Sequence, residues 1–281
     1  MTTPQPDRFP RGTDLPYQSP IFWVSQKDRY LRQLLIRDIQ ALTGRQLLVY
    51  FGNRYEGAEI NQRDIALMAE LCTDAGGKPV DLFLETAGGE TDATEGLVSL
   101  IQTMATDLRV VVPSAAKSNG TVLCLAAKEI VMGVTSELGP IEPAVGGIPC
   151  SILTEDQTKT SNFALYKYGQ YALQQTRALA KSLLTTGMMK DRKPEDIEKA
   201  VRTLSSRDTF FSHGSVINHR EASAIGLKIK YLPPEETLWR KLWLLYCMYD
   251  SDCRRDRYLK VFEGPSISTS IAATRLLPAS K

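Results

Sequence analysis

The chain has 281 residues, with 34 Lys and Arg against 32 Asp and Glu, and is 23% charged and 43% hydrophobic. That length can bury a full core without staples, and a net charge of +2 excludes both a strongly basic nucleic-acid footprint and the composition of a disordered chain. Five cysteines (Cys72, Cys124, Cys150, Cys247 and Cys253) are widely spaced and form no CxxC pair. The sequence therefore predicts a reducing compartment, with neither a disulfide framework nor a metal site.

The first 20 residues are polar and proline-rich with no positively charged lead into an apolar stretch, which predicts no secretory signal, and residues 1–30 are read as an extended segment. No apolar run approaches the ~18 residues of a membrane span, which predicts a cytoplasmic protein. Residues 31–42 carry Leu31, Leu34, Leu35, Ile39 and Leu42 at helical spacing and stop at Gly44. A short apolar run at 47–51 predicts a buried strand, and 60–72 a helix. The pattern then repeats: strand 80–85 and helix 91–105, strand 108–113 and helix 118–127, then strand 129–133. Helices are predicted at 162–184 and 194–204, and 220–232 reads as a short helix, a stop at Gly226 and a strand. Residues 238–249 read as a packed amphipathic helix, because Arg240 and Lys241 interrupt the apolar run; a membrane or partner contact there has no support. Residues 31–233 are taken as the main domain, 234–264 as a C-terminal helical extension, and 265–281 as a weakly ordered tail.

Alternating strands and helices predict an α/β fold with a parallel sheet covered on both faces, whose active site lies beyond the carboxyl ends of the strands. Two such ends carry candidate chemistry. Ser118 opens a small-residue helix, where backbone N–H groups face a developing negative charge, and the Asn119 amide points the same way. Gly88 and Gly89 follow a neighbouring strand and can present an amide without a side chain in the way. Together they predict an oxyanion hole beside a nucleophile. No nucleotide-binding glycine motif is present, two histidines six residues apart make a poor metal site, and the short basic run 253–260 reads as a solvated helix face, so no cofactor, metal or nucleic acid is expected.

The blocks TAGG (86–89), SNGT (118–121), LAAKEIVM (125–132), LGPIEP (138–143) and SHGSVINHREASAIGL (212–227) occur in an order that resembles the serine dehydrogenase proteinase family, relatives of the Clp protease proteolytic subunit and of signal peptide peptidase A. The resemblance implies a Clp/crotonase-like spiral of strand-strand-helix units with flanking helices, and a serine peptidase acting through an acyl-enzyme on Ser118. It implies Gly88, Gly89 and Asn119 as oxyanion donors, His213 as general base and Glu142 as orienting acid. It also implies a homo-oligomer with peptide or protein substrates. Lys159 and Lys167 are the alternative bases, by likeness to serine–lysine dyads. His219 reads as a surface residue, and Lys117 as pointing away from Ser118. Gly214 stands where the family has aspartate, and Asn119 where it has glycine or alanine. These two departures support the competing readings of a catalytically silent scaffold or peptide-binding subunit; a crotonase-type acyl-CoA enzyme is a further alternative.

Overall fold

Strands made of unbroken apolar runs need cover on both faces, and the fold supplies it. A computed structural model describes residues 20–273. In chain order these form α1 (Pro20–Ser25), α2 (Lys27–Thr43), β1 (Gln46–Gly52), α3 (Asp64–Ala75), β2 (Val80–Glu85), α4 (Thr91–Met104), β3 (Leu108–Val112), β4 (Ala115–Ala116), α5 (Asn119–Leu125), β5 (Glu129–Met132) and β6 (Glu137–Leu138). There follow β7 (Ala144–Val145), β8 (Ile148–Pro149), α6 (Cys150–Leu153), α7 (Asp156–Ser161), α8 (Phe163–Thr186), α9 (Pro194–Ser205), α10 (His219–Ile225), β9 (Ile229–Tyr231), α11 (Thr237–Asp256), β10 (Tyr258–Glu263) and β11 (Ser268–Ala272).

The main sheet runs β11-β10-β1-β2-β3-β5-β9. From β1 to β9 all neighbours are parallel, whereas β10 and β11 are added antiparallel at one edge. Because side chains alternate along a strand, Leu47, Val49 and Phe51 face one side, where they join Ile36 and Ile39 of α2 and Trp239, Leu242, Leu245 and Tyr249 of α11 in one core. Leu48 and Tyr50 face the other side, in a second core with residues of α3, α4, α5, α8 and α9. A second, shorter layer lies beyond the carboxyl ends of the strands: β4 pairs with β6, extended by the bridges Thr86 to Ala116 and Leu138 to Ile217. The succession β3, β4, α5 is thus a strand-strand-helix unit of the kind expected.

Several boundaries differ from the sequence reading. The first long helix begins at Lys27 rather than at residue 31, with α1 before it, so 20–30 is helical rather than extended; residues 1–19 lie outside the described residues. The region 234–264 is not a helical extension. Its helix α11 covers the main sheet, and β10 is hydrogen-bonded to β1. The stretch predicted as a weakly ordered tail contains β11; 274–281 lie outside the described residues. Among the described residues no helix is long and apolar enough to cross a membrane, and all five cysteines are unpaired.

The physical reason for the C-terminal difference is a pair of buried polar anchors. Lys260 on β10 donates to both carboxylate oxygens of Asp64, at 2.8 and 2.7 Å, and Tyr50 donates to the same carboxylate. Glu263 accepts from Arg32, which also pairs with Asp252. Breaking a buried pair by removing one partner typically costs about 3–5 kcal/mol. Lys260→Met should therefore lower unfolding stability by about that amount in urea titration. A loss below about 0.5 kcal/mol, as for an ordinary surface change, would mean that β10 is peripheral to the fold.

Candidate active site

The site forms where three loops meet beyond β2, β3 and β5. Ser118 has φ 51°, a positive value rare for a residue with a side chain, and it caps α5. The Ser118 carbonyl accepts from the amides of Thr121 and Val122, and the Lys117 carbonyl from Gly120, so the turn is held from within. Its hydroxyl makes no hydrogen bond among the described residues.

Glycines allow the loops to converge. A β-carbon on Gly88 would stand 2.7 Å from Ser118 Cβ, one on Gly120 2.4 Å from Thr86 Cγ2, and one on Gly139 2.8 Å from Lys117 Cδ. Gly88 and Gly89 have φ of 104° and 153°, a region that side-chain-bearing residues avoid. Two buried hydroxyls complete the joint. Thr121 Oγ1 donates to the Ala116 carbonyl at 2.7 Å, lies 2.8 Å from the Gly139 carbonyl oxygen, and accepts from the Gly139 amide. Thr86 Oγ1 accepts from the Gly88 amide at 3.1 Å.

Of the three expected oxyanion donors, Gly88 has its N–H engaged by Thr86 Oγ1. The amides of Gly89 and Asn119 have no acceptor among the described residues. Gly88 contributes otherwise, through its carbonyl, which accepts from Ile60, while the Glu90 amide donates to Ile60. The Asn119 side chain turns to the diglycine bend. Its Nδ2 donates to the Gly89 carbonyl at 2.5 Å and to Thr91 Oγ1 at 3.2 Å.

His213 is exposed on the loop between α9 and α10, and Ser118 and His213 share no hydrogen bond. Although its surface is largely open, the protein around the ring desolvates the imidazole and holds it below the ordinary value; Glu142 opposes this, and Arg207 and Lys117 push the same way as the desolvation. The Lys117 ammonium spans to the Leu138 and Ser215 carbonyls at 3.2 and 3.1 Å and pairs with Glu137. It thereby ties the His213 loop to the second layer. Glu142 is buried, and its two oxygens accept from the Ser151 amide and from Arg207 Nε, at 2.9 and 2.7 Å. Burial alone would raise its carboxyl, yet these hydrogen bonds hold it below the usual value. Glu142 is therefore not hydrogen-bonded to His213; it anchors the loop through Arg207. Lys159 stacks over Tyr166, and Lys167 bonds Gln170 and lies over Phe163, so both engage partners on the α7–α8 arm rather than Ser118. His219 stacks on Tyr231. The sequence reading missed Thr86, Thr121, Gly120, Gly139 and Arg207; the first four lie inside the family-like blocks, whereas Arg207 has no motif to mark it.

Residues 44–253 match the model of the family of ClpP-like SDH-type serine proteinases. Two uncharacterized proteins of Methanocaldococcus jannaschii are similar. One is 28% identical over 166 residues, which cover 57% of this chain and 56% of the relative; the other is 28% identical over 145 residues, 52% and 45% respectively. The chain thus spans about half the length of these curated relatives. Among solved structures, a ClpP1 mutant from Listeria monocytogenes aligns with a TM-score of 0.44 at 15% identity, covering 71% of this chain and 98% of its own.

Behind the site, Glu85 ends β2 in a buried position. Its carboxylate accepts from the Ala115 amide at 2.8 Å and lies 3.4 Å from Arg54 Nε. Burial pushes the carboxyl up to about 8, against the pull of the Ala115 amide and Arg54 and with the help of Glu137. A carboxyl raised in the folded state binds its proton more tightly there than in the unfolded chain. Stability therefore falls as pH rises from the unfolded value of 4.5 to about 8, by at most about 1.4 kcal/mol for each pH unit crossed. Glu85→Gln, which keeps an acceptor for Ala115, should gain melting temperature relative to the parent as pH climbs from 5 to 8. A difference that stays flat across that window would refute the buried-proton account.

Proposed function

Because the chain belongs to the family of ClpP-like SDH-type serine proteinases, we propose that it hydrolyses peptide bonds through an acyl-enzyme on Ser118. The observation that carries this reading is the unbonded Ser118 hydroxyl on a strained turn, packed against Gly88, with two unbonded amides, those of Gly89 and Asn119, from the adjoining loops. In the reaction Ser118 Oγ bonds to the peptide carbonyl carbon as His213 takes its proton. The carbonyl oxygen becomes an anion received by the Gly89 and Asn119 amides. The C–N bond then breaks and the amine leaves with the proton from His213. Water repeats the sequence to free the acid and restore Ser118. Removing one oxyanion donor typically costs about 10²–10³ in rate, so the two amides supply a large share of the barrier reduction.

His213 is the preferred base because Lys117, adjacent to the nucleophile, fastens its loop through Ser215, and because an imidazole held below its ordinary value is neutral and able to accept a proton at neutral pH. The reading extends to a homo-oligomer acting on peptides; Phe163, Tyr168 and Tyr171 of α8 are large, exposed apolar side chains that fit a contact between copies. It also extends to a reducing, cytoplasmic setting, in keeping with the five unpaired cysteines. One observation favours the silent-scaffold alternative: both Glu142 oxygens are engaged elsewhere, leaving His213 without an acid hydrogen-bonded to it.

A fluorophosphonate probe separates the two. Labelling is expected on the parent protein and absent in Ser118→Ala, with circular dichroism unchanged; folded parent protein that stays unlabelled would support the scaffold. The labelling rate should rise with pH along a limb below the ordinary imidazole value and fall about 10²-fold or more in His213→Ala. A limb on the alkaline side that ignores His213 would transfer the role to a lysine, with Lys159 and Lys167 next to be replaced.

A further inference from the structure

We propose that Asn119 is a positioning residue that sets the spacing of the oxyanion hole, its side chain fastening one donor loop while its own backbone supplies the other donor. The inference rests on the reading of Ser118 as nucleophile. The segment 88–90 presents two edges. On one edge Ile60 takes both groups it can reach: its amide donates to the Gly88 carbonyl at 2.8 Å and its carbonyl accepts from Glu90 at 2.9 Å. On the other edge, toward α5, stand the Gly89 carbonyl and the unbonded Gly89 amide. Among the described residues, the hydrogen bond that crosses from α5 to Gly89 is the one from Asn119 Nδ2, at 2.5 Å, and the same nitrogen reaches Thr91 Oγ1 at 3.2 Å on the first turn of α4.

A bond on this edge matters because glycine holds itself in no particular conformation. Gly88 and Gly89 have φ of 104° and 153°, and neither carries a side chain that packing could lock. Without the Asn119 bond, the bend meets α5 through the packing of Gly88 on Ser118 and through the Thr86 hydroxyl, with no hydrogen bond from α5 to Gly89 itself. The Asn119 side chain has two rotatable bonds and is buried, so it acts as a short strut of nearly fixed length between the two amides that must share one oxygen. Alanine or glycine at this position leaves the gap to be set by packing alone. Asn119 therefore compensates within this chain for the freedom of the bend, and its size is a working feature of the site.

The test is the kinetics of fluorophosphonate labelling, resolved into the reversible affinity of the probe and the rate of covalent capture. Asn119→Ala should lower the capture rate about tenfold or more, since a displacement near 1 Å can cost about 10²-fold, and leave the affinity within about twofold. Asn119→Asp, the same shape with an anion facing the Gly89 carbonyl and the oxyanion, should lose more than Asn119→Ala. Thr91→Ala removes only the second acceptor and should show a smaller fall in the same parameter. An Asn119→Ala protein that folds and captures the probe at the parental rate overturns the inference while the nucleophile reading stands. If Asn119→Ala does not fold, Thr91→Ala decides: a reduced capture rate with unchanged affinity supports the strut, and a parental rate overturns it. A folded parent protein that never labels removes the nucleophile reading and the strut together.

Discussion

The structure of the site depends on how closely its loops approach. A loop that comes this close to its neighbour's side chains has room only for glycine at the contact. Gly88 lies against Ser118, Gly120 against Thr86, and Gly139 against Lys117, with a hypothetical β-carbon falling 2.4–2.8 Å from the facing atom in each case. Contacts this tight transmit position: a shift of one loop moves the others, because close-packed interiors do not deform smoothly. The buried hydroxyls of Thr86 and Thr121 tie the same loops by hydrogen bonds. Backbone strain at Ser118, of the order of 1–3 kcal/mol for such conformations, persists because these neighbours over-determine it.

Around this joint the polar and charged groups are linked to one another rather than standing singly. Arg54 connects Glu85 to Glu137, Glu137 continues to Lys117, and Lys117 reaches the His213 loop. A second link, Glu142 to Arg207, fastens the same loop from its other side. His213 is thus carried by a segment with little regular structure but two polar tethers. That division of labour is common where an irregular connection must present a side chain reproducibly.

Much of this was legible in the residues. Unbroken apolar runs pointed to β1, β2, β3 and β5, because burial on both faces removes any need for polar alternation. Gly44 and Gly226 marked helix ends and adopt the left-handed conformation there. Ser118 and the diglycine bend stood out through their setting after neighbouring strands. What was not legible depends on distant partners or on very short elements. The two-residue strands β4 and β6 have no periodicity to read. In β10, Lys260 and Glu263 look like surface residues until Asp64 and Arg32 are brought to them by the fold. The engagement of the Gly88 amide by Thr86, the direction of the Asn119 side chain and the commitment of Glu142 to Arg207 are likewise outcomes of tertiary geometry.

The anchoring of β10 has a consequence for the order in which the molecule can be completed. Asp64 and Lys260 are separated by 196 positions, and the edge of β1 that receives β10 is open until that late segment arrives. During synthesis on the ribosome, the parallel strands and their helices would emerge with a buried carboxylate still lacking its cation and a hydrogen-bonding edge still unfilled. Closure of that edge of the sheet therefore waits on a pairing between segments far apart in sequence, and until it forms the edge of β1 is exposed to mispairing.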